Sequence, residues 1–162
     1  MSVAASRISA MTQSHKSQID IRAPARRVFE LLSDPQLLMR GFPMIERVEH
    51  EPSGPLRRGT RMRFFAAAAE GEKPAQGEVE VTEFSPPRVI EFTGSMSLRR
   101  GRDRAASRYE VEQFGTVSRL TVTSRIDLDR WYMRLLWPIL RMTIEWAAQR
   151  QLKELKAAAE RT

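Results

Sequence analysis

The sequence has no cysteine among its 162 residues, and this absence excludes disulfide bonds, thiolate-bound zinc and cysteine nucleophiles. It has two histidines, His15 and His50, which are too few to form a metal site without further ligands of suitable spacing. We therefore expect no metal and no cofactor. The first residues also lack the continuous apolar core of a signal peptide, so we expect no secretion and a cytoplasmic protein.

Long hydrophobic runs are missing as well. The most apolar stretch, RWYMRLLWPILRMTIEW at 130–146, contains all three tryptophans but is interrupted by arginines, a glutamate and a proline. A transmembrane helix takes about 20 consecutive apolar residues, so this stretch is not expected to cross a membrane. It is predicted to form part of a long helix within the folded domain.

Acidic side chains are too few to balance the basic ones, and the formal net charge is +7. Such an excess suits binding to anionic surfaces such as nucleic acid or acidic lipids. However, no basic cluster alternates with stacking aromatic residues, so we interpret the arginines as solvating side chains and expect no nucleic-acid binding. The arginine-rich hairpin at 99–104 is interpreted as a solvated turn, and contact with phosphate groups is the alternative that stays open.

The periodicity along the chain predicts an α+β fold in one domain, residues 15–162, after a disordered tail at 1–14. A strand around Ile19 is followed by two short helices that begin near Pro24 and Pro35, with Ser33 or Asp34 capping the second. Six segments of period two follow and predict antiparallel strands. One long helix then runs from after Asp129 to about Glu160, and it should cover one face of the sheet.

Two apolar stripes run along the predicted terminal helix, on roughly opposite sides. The first should lie on the sheet and comprises Trp137, Leu140, Ile144, Ala148, Leu152, Leu155 and Ala159. The second, which a single sheet cannot bury, comprises Trp131, Leu135, Ile139, Met142 and Trp146. A loop, the second short helix, a second copy in a homodimer or a membrane surface could cover it. Pro138 should kink the helix and favour an opening nearby.

The segments IDIRAPARRVFELLSDPQ, GFPMIERVE, VEVTEFSPPRVIEF and LKELKAAAER carry a family resemblance. Together with the strands between them they cover about 19–161, and the chain resembles the START-like or Bet v 1-like (SRPBCC) superfamily, of the polyketide cyclase/dehydrase and coenzyme Q-binding type. The resemblance implies the helix-grip fold, in which a seven-stranded antiparallel sheet wraps around the long C-terminal helix and leaves an elongated cavity. Many relatives have a tryptophan at the position of Phe42, so the resemblance does not fix the shape of the cavity mouth in this chain.

The inward-facing residues of this arrangement are the candidate ligand-binding residues. They are Met62, Phe64, Val79, Val81, Ile90, Phe92, Met96, Ser107, Tyr109, Leu120, Val122, Trp137, Leu140 and Ile144. Ser124 is a further inward polar group. Tyr109 is the first candidate for orienting a ligand or for catalysis, although an ordinary core tyrosine fits its position equally well. His50 is a weaker catalytic candidate, and a hydrogen-bonded structural role is the favoured interpretation.

The composition, the predicted cavity and the resemblance together predict a protein that binds or transports a hydrophobic small molecule, such as a lipid, an isoprenoid or a polyketide. A non-enzymatic role is favoured. The first alternative is an aromatase/cyclase-like enzyme on the same fold. The second is a basic module that docks on a membrane or a partner through the second stripe of the terminal helix.

Overall fold

The computed structural model describes residues 11–40, 42–43, 45–68, 70–71, 73–74, 76–97, 103–128 and 131–161. Most of the arginine-rich hairpin at 99–104 and the start of the predicted tail, residues 1–10, lie outside the described residues. In chain order the elements are β1 (Met11–Ile21), α1 (Ala25–Leu32), α2 (Pro35–Met39), β2 (Ile45–Glu51), β3 (Arg61–Ala66), β4 (Gln76–Ser85), β5 (Val89–Ser97), β6 (Asp103–Phe114), β7 (Val117–Leu128) and α3 (Trp131–Glu160).

The seven strands form one antiparallel sheet in the order β1-β7-β6-β5-β4-β3-β2. Strands β2 to β7 follow one another as neighbours, whereas β1 pairs with β7, so that α1 and α2 carry the chain from one edge of the sheet to the other. Helix α3 lies against β1, β7, α1 and α2. This arrangement confirms the predicted α+β class and the helix-grip fold.

The two short helices begin where the sequence predicts. Pro24 precedes α1 with extended backbone, and Asp34 caps α2 by accepting hydrogen bonds from the backbone N–H groups of Gln36 (2.9 Å) and Leu37 (3.3 Å). Pro35 occupies the first turn of α2, where a missing N–H group costs nothing. Of the two capping candidates, Asp34 is therefore the one used.

Strand β1 begins at Met11, four residues before His15, where the composition predicts that the folded domain begins. Met11 pairs with Leu128 and Ser14 with Arg125 on β7, so 11–14 are part of the sheet and their expected disorder is wrong. The sequence pattern does not predict this part of the strand, because its side chains are polar. The pairing with β7 is made by backbone groups.

The outer face of the sheet carries charged side chains, as the alternation predicts. Arg108 on β6 binds three carboxylates there: Glu83 on β4, Glu91 on β5 (3.1 Å) and Glu110 on its own strand (3.2 Å). These hydrogen bonds, the one that Arg108 donates to Glu83 most of all, raise the pKa of the Arg108 guanidinium. The pairing thus holds these charged side chains together on the outer face.

Helix α3 is a single helix that continues through Pro138. Its second half is firmly packed, since Leu152, Leu155 and Ala159 are buried, whereas Trp137 and Leu140 in its first half are only half-buried. The first predicted stripe therefore faces the sheet along the whole helix, but at two different depths. None of the helices in the described ranges is long and apolar enough to cross a bilayer.

Gly94 on β5 provides a test of the sheet geometry. A Cβ atom at this position would lie 2.6 Å from the Cα atom of Val79 on β4, and closer still to the carbonyl oxygen of Glu78. Because both obstacles are backbone atoms of a paired strand, we expect Gly94→Ala to lower the free energy of unfolding by about 3 kcal/mol. Urea denaturation measures this loss.

The matched control is Ser95→Ala, which changes the next residue of the same strand without adding an atom. It should remain within about 0.5 kcal/mol of the parent protein. Equal stability of the Gly94→Ala variant and the parent would show that β4 and β5 do not approach each other as closely as described.

Candidate functional site

Most of the inner face of the sheet is packed core. Eight predicted ligand-binding residues are buried there: Met62, Phe64, Val81, Ile90, Phe92, Tyr109, Leu120 and Val122. Four of them, Met62, Val81, Ile90 and Leu120, have no exposed surface at all. Because a side chain that lined a water-sized void would keep some accessible surface, these four are packed core.

This packing differs from the expected ligand wall, and its physical cause is visible. Leucines from four surrounding segments fill the space: Leu32 from α1, Leu38 from α2, Leu56 from the loop after β2, and Leu152 and Leu155 from α3. The cavity that the resemblance implies is therefore filled around these residues.

Five other predicted residues are only half-buried. Val79 and Ser107 lie on the sheet, where Val79 packs against the edge of the core, and Trp137, Leu140 and Ile144 lie on the first half of α3. We call the region between the first half of α3 and the inner face of the sheet the open cleft. The side chains of two further predicted residues, Met96 and Trp131, lie outside the described residues.

A cavity of about 130 Å³ lies where the open cleft meets β1. Gln13, Ser14 and His15 line it from the strand, and Trp137, Arg141, Ile144 and Glu145 line it from the helix. It can hold several waters or one end of a ligand. Sequence reasoning identified Trp137 and Ile144 but missed the β1 residues, because it assigned most of them to a disordered tail.

His15 is the centre of a hydrogen-bonded and charged cluster in this cavity. Its Nε2 atom lies 2.8 Å from the hydroxyl of Ser17, and its Nδ1 atom lies 3.6 Å from Glu145 Oε1. Arg141 donates a 2.6 Å hydrogen bond to the same carboxylate oxygen, and this bond, more than any other cause, lowers the pKa of Glu145. An ionised carboxylate thus faces the imidazole, which is the arrangement that orients a histidine for proton exchange.

Polar side chains continue from His15 across the sheet. His15 is in register with Ser124 on β7, and Ser124 is in register with Ser107 on β6. The two serine hydroxyls are 3.3 Å apart. Both serines face inward as predicted, and they place a row of small polar groups at the edge of an otherwise apolar cleft. Such a combination is typical of small-molecule sites.

Comparison with known proteins identifies the family. The sequence matches, over residues 12–160, the family model described as polyketide cyclase / dehydrase and lipid transport. The chain belongs to this family. Among curated proteins, none matches the sequence.

Three solved structures illustrate the likeness of fold. A protein from Rhizobium leguminosarum has 18% sequence identity and a TM-score of 0.73, covering 95% of this chain and 98% of its own. The Zhui aromatase/cyclase from Streptomyces sp. R1128 has 18% identity and a TM-score of 0.69, covering 93% and 95%. Ara h 8.0201 has 11% identity and a TM-score of 0.61, covering 90% and 99%. At these identities the likeness shows the helix-grip fold of the family and nothing of the chemistry.

Tyr109, the first catalytic candidate, lies in the packed core of this family member. Its hydroxyl donates to Gln151 Oε1 on α3 (3.1 Å), and the amide nitrogen of Gln151 donates to the carbonyl oxygen of Leu38 (2.7 Å). Burial raises the pKa of Tyr109 to about 12. The structure thus matches the alternative of a core tyrosine, with a side-chain partner on α3.

His50, the second catalytic candidate, lies far from the open cleft in the strand order. It is on β2 at the edge of the sheet opposite β1, and its Nε2 atom is 3.1 Å from the carbonyl oxygen of Gly54. This contact agrees with the favoured structural interpretation. In the part of the chain that the structure describes, no three histidine, aspartate or glutamate side chains are grouped to hold a metal ion.

A wider groove of about 390 Å³ lies beside α1. Its floor is formed by Phe29, Leu56 and Phe84, with the turn prolines Pro86 and Pro87 along one side. Volume alone would favour it over the cavity at His15. We prefer the smaller cavity because the groove is a surface feature outside the space between α3 and the sheet.

The Tyr109 hydroxyl generates a pH-dependent prediction. Between pH 10 and pH 12 the unfolded chain loses the phenol proton while the folded chain keeps it, so the free energy of unfolding falls as the pH rises. The Tyr109→Phe variant lacks this dependence. At neutral pH we expect it to be less stable by about 1–3 kcal/mol, because Gln151 loses its buried donor.

Urea denaturation at neutral pH and across the alkaline range checks both effects. The stability difference between the parent and Tyr109→Phe should shrink as the pH rises. The control Tyr132→Phe, at an exposed position, retains Tyr109 and should keep the alkaline loss. Parallel pH profiles for the parent and Tyr109→Phe would contradict the burial of this phenol.

Proposed function

We propose that this protein binds a hydrophobic small molecule bearing a polar group, of the lipid, isoprenoid or polyketide type, in the open cleft. One observation carries the proposal: the inner side of α3 is buried along its second half, yet Trp137, Leu140 and Ile144 along its first half stay half-exposed, as does Ser107 on the inner face of the sheet. A sheet face that is apolar and unfilled beside a few convergent polar groups is a favourable ligand site.

The apolar part of such a ligand would lie against Val79 on the sheet and against Leu140 and Ile144 on α3. These side chains are half-buried, so a ligand would remove their remaining apolar surface from water. The gain is about 25 cal/mol for each Å² of apolar surface buried, before the costs of association are subtracted. Trp137 adds a large aromatic surface that borders both the cleft and the cavity.

The polar group of the ligand would lie in the cavity at His15. The imidazole and the guanidinium of Arg141 supply hydrogen-bond donors, and the hydroxyls of Ser107 and Ser124 can donate or accept. A carbonyl or hydroxyl group suits this set of partners. The family description supports the ligand class, since it combines lipid transport with polyketide cyclase and dehydrase members.

A second candidate function, proton-transfer catalysis of the cyclase or dehydrase type, is favoured by the geometry of His15. The imidazole borders the cavity, an ionised Glu145 faces its Nδ1 atom, and Nε2 is held by Ser17. A general base needs to lie within hydrogen-bond reach of the proton that it removes, and His15 is the imidazole that borders this cavity.

The binding proposal is tested by filling the open cleft. Ser107→Phe introduces a large side chain on the inner face, and we expect it to weaken binding of the amphipathic dye anilinonaphthalene sulfonate at least about tenfold, because the ring occupies the apolar space. Dye fluorescence titration measures the affinity. Native mass spectrometry of protein purified from cells tests for a retained ligand.

The matched control is Ser95→Phe, the same substitution on the outer face, where Ser95 pairs with Glu78 and Arg104. It should bind the dye as the parent does. Circular dichroism and urea denaturation verify that both variants fold. Unchanged dye binding by a folded Ser107→Phe variant, with no ligand in the native mass spectrum, would refute the open cleft as the binding site.

The catalytic candidate is tested by hydrogen–deuterium exchange at the acidic C–H of a soluble β-keto ester, followed by NMR. If His15 acts as a base, His15→Gln should lower the protein-dependent exchange rate by about 100-fold or more. His50→Gln, the matched control, should leave the rate unchanged. Exchange no faster than in buffer alone would reject the catalytic candidate and leave the binding proposal intact.

A further inference from the structure

The first half of α3 has an outward side that nothing in the described part of the chain covers. Leu135, Ile139, Met142 and Trp146 are 72%, 65%, 71% and 55% exposed, and we call these four residues the outer α3 patch. Their spacing of four, three and four residues places them in one line along the helix. Isolated exposed apolar residues are ordinary, but a continuous stripe of large ones marks an interaction surface.

Basic side chains continue the line of the outer α3 patch. Arg150 and Lys153 follow Trp146 on the same side of the helix and are exposed, and the Arg150 guanidinium lies 5.6 Å from the centre of the Trp146 ring. Of the acidic neighbours, Glu145 is already bound by Arg141 and faces His15, and Glu154, four residues after Arg150, offsets only one of the two positive charges. The surface therefore combines an apolar stripe, an aromatic residue and an excess of positive charge.

We propose that the outer α3 patch docks on an anionic lipid surface. A helix that presents tryptophan and aliphatic residues beside lysine and arginine has the composition of an interfacial membrane-binding helix. In this orientation Leu135, Ile139 and Met142 enter the apolar layer, while Arg150 and Lys153 stay level with the lipid phosphates. Trp146 lies between these two groups, at the depth that tryptophan prefers.

Charge favours a lipid surface over a second copy of the chain. Each molecule carries a formal net charge of +7, so face-to-face pairing along α3 brings two positive surfaces together. An anionic bilayer attracts the same charge and compensates Arg150 and Lys153 directly. The proposal is independent of the proposed function, because docking requires no ligand in the open cleft.

Docking would also place the open cleft close to the lipid. Trp137, Leu140 and Ile144, which border the cleft, belong to the same helical turns as the outer α3 patch but lie on the opposite side of the helix. One short helix segment would thus contact the bilayer with one side and a bound molecule with the other.

Vesicle co-sedimentation tests the proposal with the full chain and no added ligand. We expect binding to vesicles of phosphatidylcholine mixed with phosphatidylglycerol, weaker binding to phosphatidylcholine alone, and loss of the difference at high salt. Ile139→Glu should weaken binding at least about tenfold, since an apolar side chain is lost and a like charge is added. Gln36→Glu, at an exposed position on α2, changes the net charge equally and should bind like the parent.

The basic side chains are tested by a double variant, Arg150→Ala with Lys153→Ala. Each removal should weaken binding to the anionic vesicles roughly fivefold. The matched control removes Arg57 and Arg58 in the loop between β2 and β3 and should have a smaller effect. Failure of the parent protein to sediment with anionic vesicles would overturn the proposal. So would analytical ultracentrifugation that showed a dimer dissociated by Ile139→Glu, because the patch would then be an interface between two copies.

Discussion

The packing of the second half of α3 into the concave sheet is the interaction on which the rest of the structure depends. Gln151 is its fixed point, since its buried amide accepts from Tyr109 on β6 and donates to Leu38 at the end of α2. Buried amides without partners are costly, so this pair of hydrogen bonds fixes the helix in rotation and along its axis. Leu152 and Leu155, which follow Gln151 along α3, belong to the same buried core.

This fixed point makes the two ends of the molecule different. Where α3 is held by Gln151, side chains from α1, α2 and the β2–β3 loop close the interior. Where the helix continues toward Trp131, its inner side is only half-buried, and a row of polar groups begins at His15. The packed half of the helix supplies stability, and the cavity at His15 lies beside the less tightly packed half.

The first half of α3 consequently has apolar side chains that are not fully buried on two sides rather than one. Its inner side borders the open cleft through Trp137 and Ile144, and its outer side presents the outer α3 patch to solvent. We propose a ligand as the partner of the inner side and a lipid surface as the partner of the outer side. A ligand and a lipid surface are chemically compatible partners for such a segment, and they would meet it from opposite directions.

The sequence by itself determined the order of the elements, the two faces of the sheet and the two stripes of α3, because these follow from local periodicity. It placed Met62, Ser107 and Tyr109 on the inner face correctly. Only the tertiary structure decided how deep each one lies, since leucines from distant segments fill one end and not the other. The pairing of His15 with Glu145 was equally invisible, because no local pattern links residues at opposite ends of a chain.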